Sequence, residues 1–251
     1  MKTIKYDLMP DIGHIATLGL VVLQADETLE QDFRRMFTDK EIALYVSRIP
    51  SGDDLSTSSI AAMEAELPRG ASLLPRAARF DAVAYGCTSG TTLIGAEAVA
   101  RMIRRGVKTP MVTDPLSAAL AALAHLNIGP IGLVTPYVED IAAPVRDAFV
   151  AAGHPVLGAA TFGEATEAKV ARINPQAICA AVRDVAQNKD IQAVFLSCTN
   201  LRTFDVIEDL EAELGLNVLS SNQVLAWHLS HATGAPVADA APGRLFKGRF
   251  L

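Results

Sequence analysis

An apolar run that ends in a cysteine followed by small polar residues occurs twice in this chain. Ala82-Val83-Ala84 leads into Tyr85-Gly86-Cys87-Thr88-Ser89-Gly90, and Ala193-Val194-Phe195 leads into Leu196-Ser197-Cys198-Thr199-Asn200. The two cysteines are 111 residues apart (87 to 198), and a second landmark keeps nearly that spacing. Leu18-Gly19-Leu20-Val21-Val22 corresponds to Ile131-Gly132-Leu133-Val134-Thr135, with the glycines 113 apart (19 to 132). A third, weaker pair is Met111-Val112-Thr113 before Asp114 and Val218-Leu219-Ser220 before Ser221-Asn222. Landmarks that return at one interval mean two similar folding units.

Within each unit, apolar runs of strand length alternate with longer helical patterns. Strands are expected near 17–23, 42–49, 81–86, 110–113, 129–135, 156–162, 191–198 and 216–219, with helices near 27–38, 57–77, 91–105, 116–126, 138–152, 164–187, 201–214 and 222–232. Strict alternation predicts an α/β protein: two Rossmann-like halves, each a parallel sheet with right-handed crossovers, related by a pseudo-twofold axis. Strands as uniformly apolar as Ala82–Tyr85 are expected to be covered by helices on both faces. Residues 1–127 plus 222–251 are assigned to the first half, which carries Cys87, and 128–221 to the second, which carries Cys198. The chain is expected to cross at Asn127-Ile128-Gly129-Pro130, and the tail from Ala235 to Leu251 to pack irregularly on the first half. Ligands bind outside the carboxyl ends of parallel strands. Both cysteines stand at that edge, so the active site is expected in the cleft between the halves.

Composition narrows the function. A net charge of −6 with 22 Lys plus Arg offers no basic stripe for nucleic acid. No run of about eighteen apolar residues predicts a membrane span, and the first residues lack the apolar stretch of a signal peptide; a cytoplasmic protein is expected. Three cysteines without a C-x-x-C pair argue for free thiols rather than a disulfide framework or zinc site.

Each motif cysteine precedes a helix-like stretch, and a thiol at a helix N-terminus is expected to have its pKa lowered toward neutrality. Two such thiols suit a paired acid and base. Cys179, within Ala177-Ile178-Cys179-Ala180, lacks that context and reads as core. Asp26 reads equally as a helix cap. His125, His228 and His231 read as helix packing.

These motifs, with Leu133-Val134-Thr135-Pro136-Tyr137 and the duplicated plan, resemble the aspartate/glutamate racemase superfamily over roughly residues 17 to 232. Within it the nearest branch is that of maleate cis–trans isomerase and arylmalonate decarboxylase. A narrower resemblance, through Gln24-Ala25-Asp26-Glu27-Thr28, Tyr45-Val46-Ser47-Arg48, the two cysteine motifs and Ser220-Ser221-Asn222-Gln223, is to the racemase-like proteins of ectoine-utilisation operons. The resemblance implies catalysis without metal or other cofactor, a homodimer, and Cys87 and Cys198 as the catalytic pair. Arylmalonate decarboxylase has glycine where Cys87 stands, which makes decarboxylation the weaker expectation. Gln24, Asp26, Thr88, Ser89, Tyr137, Thr199 and Asn200 are the candidate substrate-binding residues. Among them Thr88, Ser89, Tyr137 and Thr199 match positions that surround a substrate carboxylate in the family, where preorganised donors stabilise an enediolate-like transition state.

One residue departs from the pattern. Asp26 stands where maleate isomerase has an asparagine that binds a substrate carboxylate. Two like charges at ~4 Å repel by about 4 kcal/mol at an effective dielectric near 20. Asp26 is therefore expected to disfavour a dianion, unless protonated or turned away, and to suit an ammonium-bearing substrate. The resulting expectation is a two-cysteine racemase or isomerase acting at the α-carbon of a small, amino-acid-like carboxylate. The alternative is maleate cis–trans isomerisation, in which Cys87 adds to the double bond. A non-catalytic carboxylate-binding protein is the remaining possibility, and it would need the polar residues but neither thiol.

Overall fold

The computed structural model describes residues 1–52 and 56–247. The first half contains β1 (Ala16–Leu23), α1 (Leu29–Met36), β2 (Ile42–Ile49), α2 (Thr57–Ser72), β3 (Ala82–Gly86), α3 (Thr88–Ile94), α4 (Ala96–Gly106), β4 (Met111–Thr113) and α5 (Pro115–His125). The second contains β5 (Ile131–Thr135), α6 (Glu139–Ala151), β6 (Val156–Thr161), α7 (Glu167–Val170), α8 (Pro175–Val185), β7 (Ala193–Leu196), α9 (Ile207–Leu214) and β8 (Asn217–Ser220), after which α10 (Ser221–Thr233) begins.

The repeat is a repeat of topology. The two parallel four-stranded sheets have orders β2-β1-β3-β4 and β6-β5-β7-β8, so each strand of one half has its counterpart in the other. The inner strands β1, β3, β5 and β7 are buried at every position, as parallel strands covered on both faces must be. The recurring glycine has a packing reason. A Cβ on Gly132 would lie 2.3 Å from Cγ1 of Val185, and one on Gly19 would crowd Val83, Leu74 and Phe80 at 3.0–3.2 Å. At Gly132 a side chain of α8 occupies the space that a Cβ would need; at Gly19 side chains of β3 and of the segment between α2 and β3 do so.

Helix α2 ends at Ser72 rather than near 77, and three further helix boundaries differ from the sequence reading, each for a local reason. The pattern at 91–105 is two helices. The first starts immediately after Cys87, and Gly95, at φ 92°, ends it. The pattern at 164–187 is divided by Asn174-Pro175. Pro175 opens α8, and the Asn174 side chain accepts the Gln176 N–H at 2.7 Å. Residues 199–206 form turns, so α9 starts at Ile207 rather than near 201. Asp114 and Ser220 cap α5 and α10 by accepting the N–H of Ser117 (2.8 Å) and Gln223 (3.3 Å), which gives the third landmark its meaning.

After β8 the chain returns to the first half. Helix α10 packs along α5, where the Trp227 ring lies 5.1 Å from His125 and 5.2 Å from His231. His228 bonds Thr113 at 2.8 Å. The tail corrects the expectation that it stays on the first half. It touches that half at Ala238, whose N–H donates to the Met36 carbonyl (2.7 Å), then crosses to α9. There the Arg244 N–H donates to Glu211 Oε2 (2.7 Å) and Lys247 pairs with Glu208 (2.8 Å). Residues 248–251 lie outside the described set. Among the described residues no helix is long and apolar enough to cross a membrane.

Candidate active site

Cys87 ends β3 and caps α3. Its Sγ accepts the Gly90 N–H at 3.2 Å and lies 3.6 Å from the Ser89 hydroxyl. A Cβ at residue 90 would sit 2.6 Å from the Tyr85 hydroxyl and 2.9 Å from the sulfur, so the glycine preserves the space around the thiol. Cys198 follows β7 but opens a turn, not a helix, with its carbonyl accepting the Leu201 N–H at 3.4 Å. Its φ is 126°. A side-chain-bearing residue held there stores strain on the order of 1–3 kcal/mol, which persists only where surrounding contacts over-determine it.

The lowered thiol pKa values expected from sequence are not found. Burial pushes Cys87 up to about 11, against the lowering by Ser89 and Gly90. Burial also pushes Cys198 well up, and the nearby Glu167 charge adds to the effect. Removing a thiolate from water costs more here than one short helix end and a few donors return.

Ser221, at the start of α10, connects the cysteine loops. Its Oγ accepts the Cys198 N–H at 3.0 Å and shares a hydrogen bond with the Thr88 hydroxyl at 2.8 Å. Thr199 reaches the opposite way, donating to the Gly86 carbonyl at 3.2 Å. Thr199 thus bonds the segment of Cys87 directly, and Thr88 reaches the Cys198 loop through Ser221. The Tyr137 hydroxyl stands beside Cys198 and close enough to Cys87 to feel its charge; burial pushes its pKa far up, so it is a neutral donor.

Asn200 joins three segments. Its Oδ1 accepts the Glu27 N–H (2.8 Å), and its Nδ2 donates to the carbonyl and to Oε2 of Glu167 (3.1 Å each). Its own carbonyl accepts the Thr28 hydroxyl (3.0 Å). Asp26 caps α1, Oδ1 accepting the Thr28 and Leu29 N–H groups at 2.8 Å each, while its buried Oδ2 makes no well-formed hydrogen bond. Ser197 Oγ is likewise buried and unpartnered. Orphaned polar atoms beside reactive thiols are places where a ligand's polar atoms complete the bonding. Gln24 stands apart from this set: it is exposed at the end of β1, and its backbone bonds Ile49 and Arg48. Cys179 is half-buried on α8 rather than fully within the core.

Sequence reasoning did not single out Glu167, Asp32, Ser221 or Asn222 as site residues. Glu167 is buried with its pKa raised to about 7 by desolvation, and its charge reaches both cysteines. Asp32, also raised to about 7 by burial, accepts Asn222 Nδ2 at 2.8 Å, and the same amide donates to the Thr199 carbonyl at 2.9 Å. All four lie just beyond the carboxyl end of a strand, or one helical turn on. That edge rule was the available signal. Thr28 and Asp32 also line a cavity of about 340 Å³ with Arg35, Arg172 and Arg202. Two ion pairs cross between the halves there, Arg35 with Asp205 and Arg172 with Glu27 (2.8 Å).

Two parallel α/β halves with one buried thiol at the carboxyl edge of each define a protein of the cysteine-paired racemase and isomerase class. The chain belongs to the arylmalonate decarboxylase family, whose family model matches residues 61–246. It is 24% identical over 243 residues to a maleate isomerase of Nocardia farcinica, covering 93% of this chain and 96% of that one. It is 30% identical over 141 residues to an arylmalonate decarboxylase of Bordetella bronchiseptica, covering 53% of this chain and 57% of that one. Its fold is that of a cysteine-to-serine mutant of the Nocardia farcinica maleate cis–trans isomerase with a covalently bound succinylcysteine intermediate. That likeness has a TM-score of 0.84 at 23% identity, over 94% of this chain and 99% of the other.

Proposed function

We propose that the protein is a cofactor-independent isomerase that uses Cys87 and Cys198 on a small carboxylate, and that its reaction is cis–trans isomerisation of a maleate-type dicarboxylate. The observation that carries this reading is the pair of buried thiols, one per half, whose loops are hydrogen-bonded through the single hydroxyl of Ser221. The similarity to maleate isomerase over nearly the whole chain supports it.

The chemistry follows from the unequal thiols. Cys87 caps α3 with the Gly90 N–H donating to its sulfur, whereas Cys198 opens a turn, so Cys87 is the nucleophile. Its thiol gives its proton to a substrate carboxylate as the sulfur forms a bond to one olefinic carbon. The π pair moves to the other carbon and its carboxylate, and Cys198 delivers a proton there. Rotation about the resulting single bond, return of that proton to Cys198, cleavage of the C–S bond and return of the first proton to sulfur release the trans acid and restore the Cys87 thiol. Thr88, Ser89, Tyr137 and the backbone N–H groups of both loops are the donors for the charge that develops on the carboxylate.

The objection from Asp26 loses its force. One oxygen of the carboxyl is committed to capping α1, and burial raises its pKa and favours the neutral form. A second reading, proton exchange at the α-carbon of an amino-acid-like substrate as in the ectoine-operon resemblance, is favoured by the three buried acids Asp26, Asp32 and Glu167, which as carboxylates would suit an ammonium group.

Proton NMR in deuterium oxide separates the two. Maleate, aspartate, glutamate, diaminobutyrate and N-acetyl-diaminobutyrate are incubated with the protein. Fumarate from maleate, with no α-exchange of any amino acid, is the expected result. Exchange at an α-carbon that requires both cysteines, without fumarate, establishes the second reading instead.

A further inference from the structure

We propose that Asp26 and Glu167, one from each half, are specificity-determining residues that hold substrate carboxylate as neutral acids, each donating an O–H to it. This deepens the small-carboxylate reading of the site and rests on it. The bonding of Asp26 sets its proton's place. Oδ1 accepts two backbone N–H groups, so it is the acceptor oxygen. The proton then belongs on Oδ2, which is buried and makes no well-formed hydrogen bond, the nearby Thr199 hydroxyl donating instead to the Gly86 carbonyl. A buried O–H without an acceptor is costly; a substrate carboxylate supplies that acceptor, and an O–H···O⁻ bond is among the stronger hydrogen bonds.

Glu167 shares one part of this arrangement, an oxygen tied to the protein, without a second oxygen that is fully buried and unpartnered. Oε2 accepts the Asn200 amide, which leaves Oε1 to carry the proton. Asn200 also binds the Glu27 N–H and the Thr28 hydroxyl, so the same amide fixes the loop on which Asp26 lies. Asp26 and Glu167 are thus held in one bonded framework from opposite halves.

The charged and titratable groups facing them support the neutral form. Those around Asp26 are Arg48 from β2, Asp32 from α1, Glu167 from α7 and Cys198 after β7. Those around Glu167 are Asp26, Cys87 and Cys198. Arg48 is the cation of this set, and its guanidinium is committed to the Leu23 and Asp26 carbonyls (3.0 and 2.8 Å) and to Glu30 (3.0 Å). Mutual repulsion and burial therefore act together, with one partly spent cation against them.

The test is calorimetric titration of the intact protein with succinate, a dianion without a double bond to react. It is run from about pH 6 to about pH 9 in buffers of different ionisation enthalpy. The wild type is expected to take up protons on binding in the upper half of this range. Its Kd should weaken about tenfold per pH unit there for each linked proton. Asp26→Asn keeps an oxygen to cap α1 and offers an N–H in place of the O–H. It should lose its share of the proton uptake and bind succinate more tightly than wild type at the alkaline end. Glu167→Gln should do the same.

Equal proton uptake in wild type and both variants overturns the proposal, as does failure of the wild type to bind succinate at any pH. Binding of diaminobutyrate that weakens in both variants, with succinate rejected, makes the two acids charged counter-ions and also overturns it. Failure of the isomerase reading is separate: maleate would not turn over, while succinate would still bind with the proton signature.

Discussion

The hydroxyls of Thr88 and Ser221 lie 2.8 Å apart, joining the residue after the first motif cysteine to the first residue of the last long helix. Ser221 also holds the Cys198 backbone N–H. The separation of the two thiols is therefore set by where α10 starts, and α10 is anchored by its packing along α5. A helix outside both sheets registers one half of the site against the other.

Ser221→Ala removes the acceptor of a buried N–H and the partner of a buried hydroxyl. The expected cost is about 1–3 kcal/mol in urea denaturation. Turnover should fall more than that loss of folded population explains, because Cys198 loses the bond that helps hold it at positive φ.

Cys87→Ser and Cys198→Ser should each lower turnover by roughly 10²–10⁴-fold, with the fold intact. The two variants should differ in mass spectrometry of the intact protein after incubation with maleate. Cys198→Ser keeps the nucleophile and is expected to carry a thioether adduct on Cys87. Cys87→Ser is expected to remain unmodified.

Stability should fall as pH rises from about 4 to about 7. Asp32 and Glu167 have folded-state values of about 7, above the unfolded values near 4. Below the unfolded values both states are protonated and the contribution is complete. Between about pH 4 and about pH 7 the unfolded state releases protons that the folded state retains, so the contribution is lost progressively. The midpoint temperature of thermal unfolding should therefore be higher at about pH 5 than at about pH 8, and Asp32→Asn or Glu167→Gln should flatten the difference.

Asn200→Ala and Glu27→Gln provide a contrast at one junction. The first removes a buried amide bonded to both halves and should cost about 3 kcal/mol in denaturant unfolding. The second breaks only the half-exposed pair with Arg172, worth ~0–1 kcal/mol.

In the unliganded protein, alkylation of Cys87 by iodoacetamide should be slow at neutral pH and should quicken as the pH climbs toward about 11. A fast reaction near pH 7, quantified by peptide mass mapping, would show that the site opens to solvent in a way that burial at 4% exposure does not describe.

The sequence determined the duplication, the alternation of strand and helix, and the strand edge at which both cysteines stand. Each of these is written in local periodicity: an apolar run, a glycine where a helix packs closely, a cysteine at the end of the run. The four inner strands match because a strand covered on both faces has no polar positions to mislead the eye, and the edge strands match on their short apolar runs and flanking turn residues. The helix breaks at Gly95 and Asn174-Pro175 were written there too, as the usual signals of a chain reversing or capping.

Other properties were decided only by the tertiary structure. No local pattern marks Ser221 as the partner of Thr88, 133 residues away, or Asn200 as the amide that bonds Glu27 and Glu167. The thiol pKa values were misjudged from sequence because a helix N-terminus is a local feature, whereas desolvation depends on everything packed around the sulfur. For the same reason Asp26 reads as a charge in the sequence but is disposed toward the neutral form in the fold. Periodicity records which way a side chain faces; its energy depends on what the rest of the chain brings to meet it.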